Sequence, residues 1–245
     1  MNGSLRNKML GALTLLLMNA CVAAPPIRSI SPGAPDLMKK GAIQVGGGPQ
    51  LFVGGQQSVS GGAGVAYGLT DRLQLEVGGD FNLFTLDDEG NSATDLRWAM
   101  GYAGARLQPW SSEHGTRREV LDLEFGLGGG VGGVQDCNSD SMDCRRLTQD
   151  NLDWYKRGAF GGYAGAGLGY WFDRLGLYVR GRTALVKAEN IPVTFHYAEI
   201  NGVAWKIPFS KVDLQLHAGV GVSGFVNDID ASLGLSVESG LTLTF

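Results

Sequence analysis

The stretch that most constrains the fold runs from Ile229 to Phe245, IDASLGLSVESGLTLTF. Positions Ile229, Ala231, Leu233, Leu235, Val237, Leu241, Leu243 and Phe245 are apolar, with Ser239 the one break. The positions between them, Asp230, Ser232, Gly234, Ser236, Glu238, Gly240, Thr242 and Thr244, are small, polar or charged. Side chains of a strand alternate between its faces, so this strand has one apolar side and one wet side. It is also long. A tilted strand crosses a bilayer with about 9–11 residues, whereas strands of soluble proteins average about 5–6.

The same alternation recurs upstream. Strand 1 is expected over about 41–53, with Ile43, Val45, Leu51 and Val53 on one face and Pro49 placed at a bulge, where its missing donor is tolerated. Strand 2 covers about 58–68, with Val59, Ala63, Val65 and Tyr67 outward. Strand 3 is the clearest: Leu73, Leu75, Val77, Phe81 and Leu83 oppose Gln74, Glu76, Asp80 and Asn82. Strand 4, about 94–107, is expected to turn Leu96, Trp98, Met100 and Tyr102 outward and Arg97 inward, with Trp98 and Tyr102 in an interfacial aromatic girdle.

Strand 5, about 118–134, sets Leu121, Leu123, Phe125, Leu127 and Val131 against Asp122 and Glu124. Strand 6, about 158–172, carries Gly161, Gly165, Gly167 and Gly169 on one face. Strand 7, about 175–187, opposes Leu175, Leu177, Val179 and Leu185 to Tyr178, Arg180 and Arg182. The stretch 193–205 is the least regular, because Glu199 and Asn201 interrupt its apolar face; it is a strand 8, a loop hairpin or a plug. Strand 9, about 212–224, directs Asp213, Gln215 and His217 to its wet side. With the terminal strand the number is ten, or eight if strand 8 fails. An even number suits a single-chain antiparallel transmembrane barrel. The loops 85–93, 135–157 and 189–192 then lie outside the cell, and the turns 69–72, 109–117, 173–174 and 207–211 inside.

Composition agrees with an all-β, up-and-down barrel. Glycine provides 39 of 245 residues, well above the usual ~7%. Beyond the N-terminus no window approaches the ~18 consecutive apolar residues of a spanning helix. A net charge of −4 without Lys/Arg clusters argues against a nucleic-acid partner.

The N-terminus reads as an export signal over residues 1–20, with Arg6 and Lys8 before the apolar run Met9–Met18. Met18-Asn19-Ala20-Cys21 resembles a bacterial lipoprotein box, which implies acylation at Cys21; cleavage near Ala23 is the alternative. Residues 21–40, rich in proline, are expected to form a tether ahead of a barrel over 41–245. Cys137 and Cys144 can pair as a disulfide in the oxidising compartment an exported chain meets, leaving Cys21 as the odd cysteine.

The wet faces nominate a charged lumen: Glu76, Asp80, Arg97, Asp122, Glu124, Arg180, Arg182, Asp213, His217 and Glu238. Acids and arginines in a narrow lumen pair across it, or tune solute choice in a small passage. No residues nominate a metal or cofactor. Gly126-Leu127-Gly128-Gly129-Gly130 lies in a strand pattern and lacks the Gly-Lys-Ser/Thr of a phosphate loop.

The terminal Phe245, with Leu243 and Leu241 before it, resembles the insertion signal of bacterial outer-membrane barrels. With the repeated alternation, the mature chain resembles small outer-membrane β-barrels of the OmpA-like or opacity-protein type. That resemblance implies residence in the outer membrane of a Gram-negative cell, contact with its lipid, and recognition of Phe245 by the barrel-assembly machinery. It also implies a non-enzymatic structural or surface-interaction role, or a narrow passive pore, with an extracellular partner met by the loops. A second class is a barrel enzyme acting on membrane lipid. Phe195-His196-Tyr197-Ala198-Glu199 resembles a deacylase His-x-Ser region, but Ala198 stands at the nucleophile's position. A soluble secreted β-sandwich is the third.

Overall fold

The computed structural model describes residues 33–53, 57–88, 91–135, 158–188, 193–228 and 231–245. Ten strands follow one another: β1 (Ile43–Val53), β2 (Gln57–Gly68), β3 (Leu73–Asp88), β4 (Asn91–His114), β5 (Arg117–Gln135), β6 (Gly158–Phe172), β7 (Leu175–Ala188), β8 (Thr194–Pro208), β9 (Asp213–Val226) and β10 (Ala231–Thr244). Each pairs antiparallel with its sequence neighbours, and β1 pairs with β10 to close the barrel. At that seam Phe245 N–H donates to Ile43 O at 2.9 Å and Ile43 N–H to Phe245 O at 3.3 Å. Closure leaves no sheet edge, which is what a strand-built wall needs in lipid. The irregular stretch 194–208 is a full strand, so the larger of the two expected strand numbers holds.

The wall is turned inside out relative to a soluble protein. On β3, Val77 is 58% exposed while the adjacent Glu76 is 4% exposed. On β5, Leu127 is 73% exposed while Asp122 and Glu124 are 1% exposed. Carboxylates cannot be the buried face of a soluble sheet at this density, nor leucines its solvated face. The short turns 69–72, 115–116, 173–174 and 209–212 lie at the same end as Gly41 and Phe245. Short turns mark the periplasmic end. Exposed aromatics ring that end: Tyr67, Trp110, Phe172, Trp205, Phe209 and Phe245.

The facing of β4 corrects the sequence expectation. Trp98, Met100 and Tyr102 are 1%, 4% and 7% exposed and point into the barrel, whereas Arg97 lies on the outward face. The facing follows from β3: Leu73↔Leu107 to Leu83↔Arg97 pair without a break, and Leu75 and Val77 face outward. The strand changes parity only later. Leu107 opposes Leu123, but Trp110 opposes Leu121, so one extra residue sits at Gln108–Pro109. A bulge flips the alternation of its strand. Leu107 and Trp110 are therefore both outward although their positions differ in parity. Beyond the bulge the chain stays paired through His114 and Arg117, so the expected turn 109–117 shrinks to Gly115-Thr116, with Gly115 at φ 63°. Pairing also replaces most of the expected loop 85–93, since β3 runs to Asp88 and β4 begins at Asn91. Pro49 needs no bulge: Gly47↔Leu241 and Gln50↔Glu238 keep one register.

The inward glycines do not leave an open lumen. A Cβ on Gly78 would lie 2.6 Å from the Tyr102 hydroxyl, and one on Gly126 2.6 Å from that of Tyr163. On Gly219 it would lie 2.6 Å from the Tyr178 hydroxyl. The missing side chains are replaced by rings from neighbouring strands. Tyr102 and Tyr163 meet edge to face, with centroids 5.8 Å apart.

Candidate functional site

The lumen is where the chain concentrates its polar side chains. Two structures fill it. The first lies at mid-barrel and is built from the wet faces of β3, β4, β5, β6, β7 and β10. Arg180 reaches Glu124 at 2.9 Å and Asp122 at 3.1 Å, and Arg182 Nε donates to Glu124 at 2.6 Å. Arg106 reaches Glu76 at 3.2 Å and lies 3.8 Å from Asp122. Tyr163 donates to the other oxygen of Glu76 at 2.8 Å, and Tyr178 donates to Glu238 at 3.0 Å. Glu124 and Arg180 are 1% and 2% exposed, so the centre of the network is buried. Removing one partner of such a pair strands the other charge at a cost of about 3–5 kcal/mol. A cavity lined in part by Gln44, Glu76, Tyr102, Arg106 and Thr242 measures about 10 Å³, about one water.

The second structure is the chain ahead of β1. Residues 33–38, expected to belong to the tether, enter the barrel's periplasmic mouth instead. Ala34 and Met38 are 3% and 7% exposed. The wall holds this segment by its backbone: Trp171 Nε1 donates to Pro35 O at 2.7 Å, and Gln215 Nε2 donates to Ala34 O at 3.2 Å. It also holds Asp36, through Lys206 at 2.9 Å and Arg118 at 3.3 Å. Arg118 in turn lies over the Trp171 ring, 5.5 Å from its centroid. Gly33, at φ 49°, packs against His217, where a Cβ would come within 2.5 Å of the imidazole's own Cβ. Glycine is needed there for both reasons.

Of the residues nominated from sequence, Glu76, Asp122, Glu124, Arg180 and Arg182 meet in the mid-barrel network. Asp80 is buried beside Asn82, whose amide donates to it at 2.9 Å. Asp213 joins Lys206 at 3.2 Å, below the network and next to the inserted segment. His217 and Glu238 line the lumen beside Gly33 and Tyr178. Arg97 is not among them, because its register with Leu83 of β3 puts it on the outer wall. Expecting the even positions of β4 to face outward also hides Arg106 from a sequence reading. Trp171, Arg118, Lys206 and Asp36 carry no sequence signal, since their meeting depends on an inserted segment. Cys21, Cys137, Cys144 and the export signal lie outside the described residues.

The residues that suggested lipid chemistry do not assemble a nucleophile. His196 lies on β8 against the Phe225 ring, 6.0 Å between centroids, and the residue two places on is Ala198. His114 sits in the β4–β5 hairpin within 3.1 Å of Ser112 Oγ. That pair is exposed at the periplasmic end of the barrel.

A closed, even-stranded antiparallel barrel with an apolar outside, a polar inside and an aromatic ring at its short-turn end has one habitat. The chain is an integral protein of the outer membrane. No family model matches it, and no curated protein matches it. Solved structures with a similar fold include the outer membrane protein OprG from Pseudomonas aeruginosa, 9% identical, with TM-score 0.44 over 85% of this chain and 97% of that one. Another is the β domain of the Bordetella autotransporter BrkA, 9% identical, with TM-score 0.43 over 83% and 98%. A third is an outer membrane channel from Pseudomonas putida F1, 12% identical, with TM-score 0.40 over 90% and 100%. At this distance no residue role transfers, and the membrane assignment rests on the barrel's own two faces.

Proposed function

We propose that this protein is a sealed, non-enzymatic outer-membrane barrel that presents its extracellular loops for recognition, rather than a pore. The observation that carries this reading is the double occlusion of the lumen. The Arg106–Arg180–Arg182 network fills the middle, and residues 33–38 fill the periplasmic mouth. A solute would have to displace paired, desolvated charges as well as a segment anchored at Asp36. With the lumen closed, the parts left to meet a partner are the segment 135–157, the short β3–β4 connection and the outer wall. The barrel would contact outer-membrane lipid along its length. Its terminal strand, ending at Phe245, would be the segment read by the assembly machinery.

Liposome swelling tests the reading. Vesicles carrying the refolded mature protein should swell in arabinose no faster than protein-free vesicles. Swelling that scales with the amount of protein and falls with solute size would establish a pore. The lipid-enzyme alternative loses the support of the His196 segment, because Ala198 offers no attacking oxygen there.

A further inference from the structure

The outer wall is not uniform at its extracellular end. Among the described residues, Arg97 near the start of β4 and Lys187 near the end of β7 are the cations exposed on the lipid-facing side there. They stand level with each other. One hydrogen-bonded row runs from Leu73, the first residue of β3, through Gly181 and Glu199 to Val53, the last residue of β1. Such rows therefore climb toward the extracellular end by about one residue per strand. The row of Lys187 passes Phe160 and Gly129 to reach Gly101, four residues below Arg97 on β4. The climb over three strands makes up that difference. Three strand spacings also set the two cations about 15 Å apart. Between them the wall is furrowed. Leu127, Val131 and Phe160 stand out, at 73%, 61% and 69% exposed, from a floor that includes Gly101, and a Cβ on Gly101 would approach nothing closer than 3.7 Å. The far side of the barrel presents Val226, Leu233, Val53 and Val59 at that end instead.

We infer that this face of β4–β7 docks one molecule of the phosphorylated glycolipid of the outer leaflet, a lipopolysaccharide whose lipid A carries a phosphate at each end of a disaccharide. Long cationic side chains on a lipid-facing wall reach for the headgroup layer. At this end of the barrel that layer is rich in phosphate. Arg97 can grip a phosphate with its planar fork, and Lys187 as a point charge. A disaccharide with a phosphate at each end spans the gap between the two. The acyl chains below it then lie in the furrows between Leu127, Val131 and Phe160, where glycines keep the floor low. The inference rests on the membrane assignment and not on the sealed lumen, so a conducting barrel would leave it standing.

The test is binding of purified lipid A to the refolded mature protein in detergent. It is read by native mass spectrometry and by the temperature at which the folded form is lost on gels, which a bound ligand raises. Bisphosphorylated lipid A should form a one-to-one complex with the wild type and raise that temperature. Arg97→Gln and Lys187→Gln should each weaken binding about fivefold, and the double variant more than tenfold. All three should keep their heat-modifiable mobility. Monophosphorylated lipid A should bind the wild type about as weakly as a single variant binds the bisphosphorylated form. Arg72→Gln with Arg174→Gln, at the periplasmic end, should bind as the wild type does. A wild type that forms no complex would overturn the inference. Unchanged binding by the double variant would place the lipid elsewhere and overturn it too. So would displacement by an equal concentration of phosphatidylglycerol, which would reduce the site to attraction for any anionic lipid.

Discussion

The inner and outer walls of this barrel handle charge in opposite ways. Inside, Arg180 is held by two carboxylates at 2.9 and 3.1 Å and is almost wholly buried. Outside, Glu199 faces the lipid belt with a single long bond from Asn201. Alternation in sequence marks both walls equally well, but it does not say whether the polar side meets water. Here it meets other side chains. The inner wall is packed like a core, with ion pairs and tyrosines in contact.

That contrast can be broken most sharply at Arg180. Arg180→Met would leave Asp122 and Glu124 facing each other without their shared cation, and should destabilise the barrel by about 3–5 kcal/mol. Urea unfolding in lipid vesicles would read the loss, and a change under 1 kcal/mol would mean that the network is hydrated. Next in size is Gly78→Val, which pushes a side chain into the space held by the Tyr102 hydroxyl. Overpacking of this kind costs about 1–3 kcal/mol, and the companion change Tyr102→Ala should recover part of it.

Smaller effects separate the mouth from the middle. Trp171→Phe removes the donor to Pro35 O and should cost about 1 kcal/mol. The same substitution should expose residues 33–38 to added protease, while the mid-barrel network stays intact. Retained protection would mean that the segment is held by packing alone. The smallest effect belongs to the outer wall. Arg97→Ala should change stability by no more than about 0.5 kcal/mol, whereas Arg106→Ala should behave like the Arg180 variant. Equal losses at Arg97 and Arg106 would contradict the facing of β4.

The sequence carried much of this architecture in particular residues. Leu75, Val77 and Phe81 against Glu76, Asp80 and Asn82 place β3 correctly, and β5, β7 and β9 follow by the same rule. β4 was not legible, because Leu96, Trp98, Met100 and Tyr102 make its inward face look like the lipid side, while the outward face carries Arg97 and small residues. Its large aromatics also fit a membrane interface as well as they fit a lumen. The charged network was legible as a set of inward residues. Its closure was not, because the fit of Tyr102, Tyr163 and Tyr178 over glycines depends on cross-strand register. The inserted segment 33–38 was hidden for a different reason. Its composition is that of a tether, and its place is fixed by Trp171, Gln215, Arg118 and Lys206, which lie between 82 and 181 residues from their partners along the chain.

Single-channel recording in planar bilayers tests the sealed lumen most directly. The mature protein, inserted and confirmed as folded, should be electrically silent, and should remain so when residues 22–38 are removed, because the ion-pair layer still closes the middle. Stable stepwise openings of the intact protein, with an amplitude or ion preference altered by Glu124→Gln, would show a conducting lumen and contradict the account.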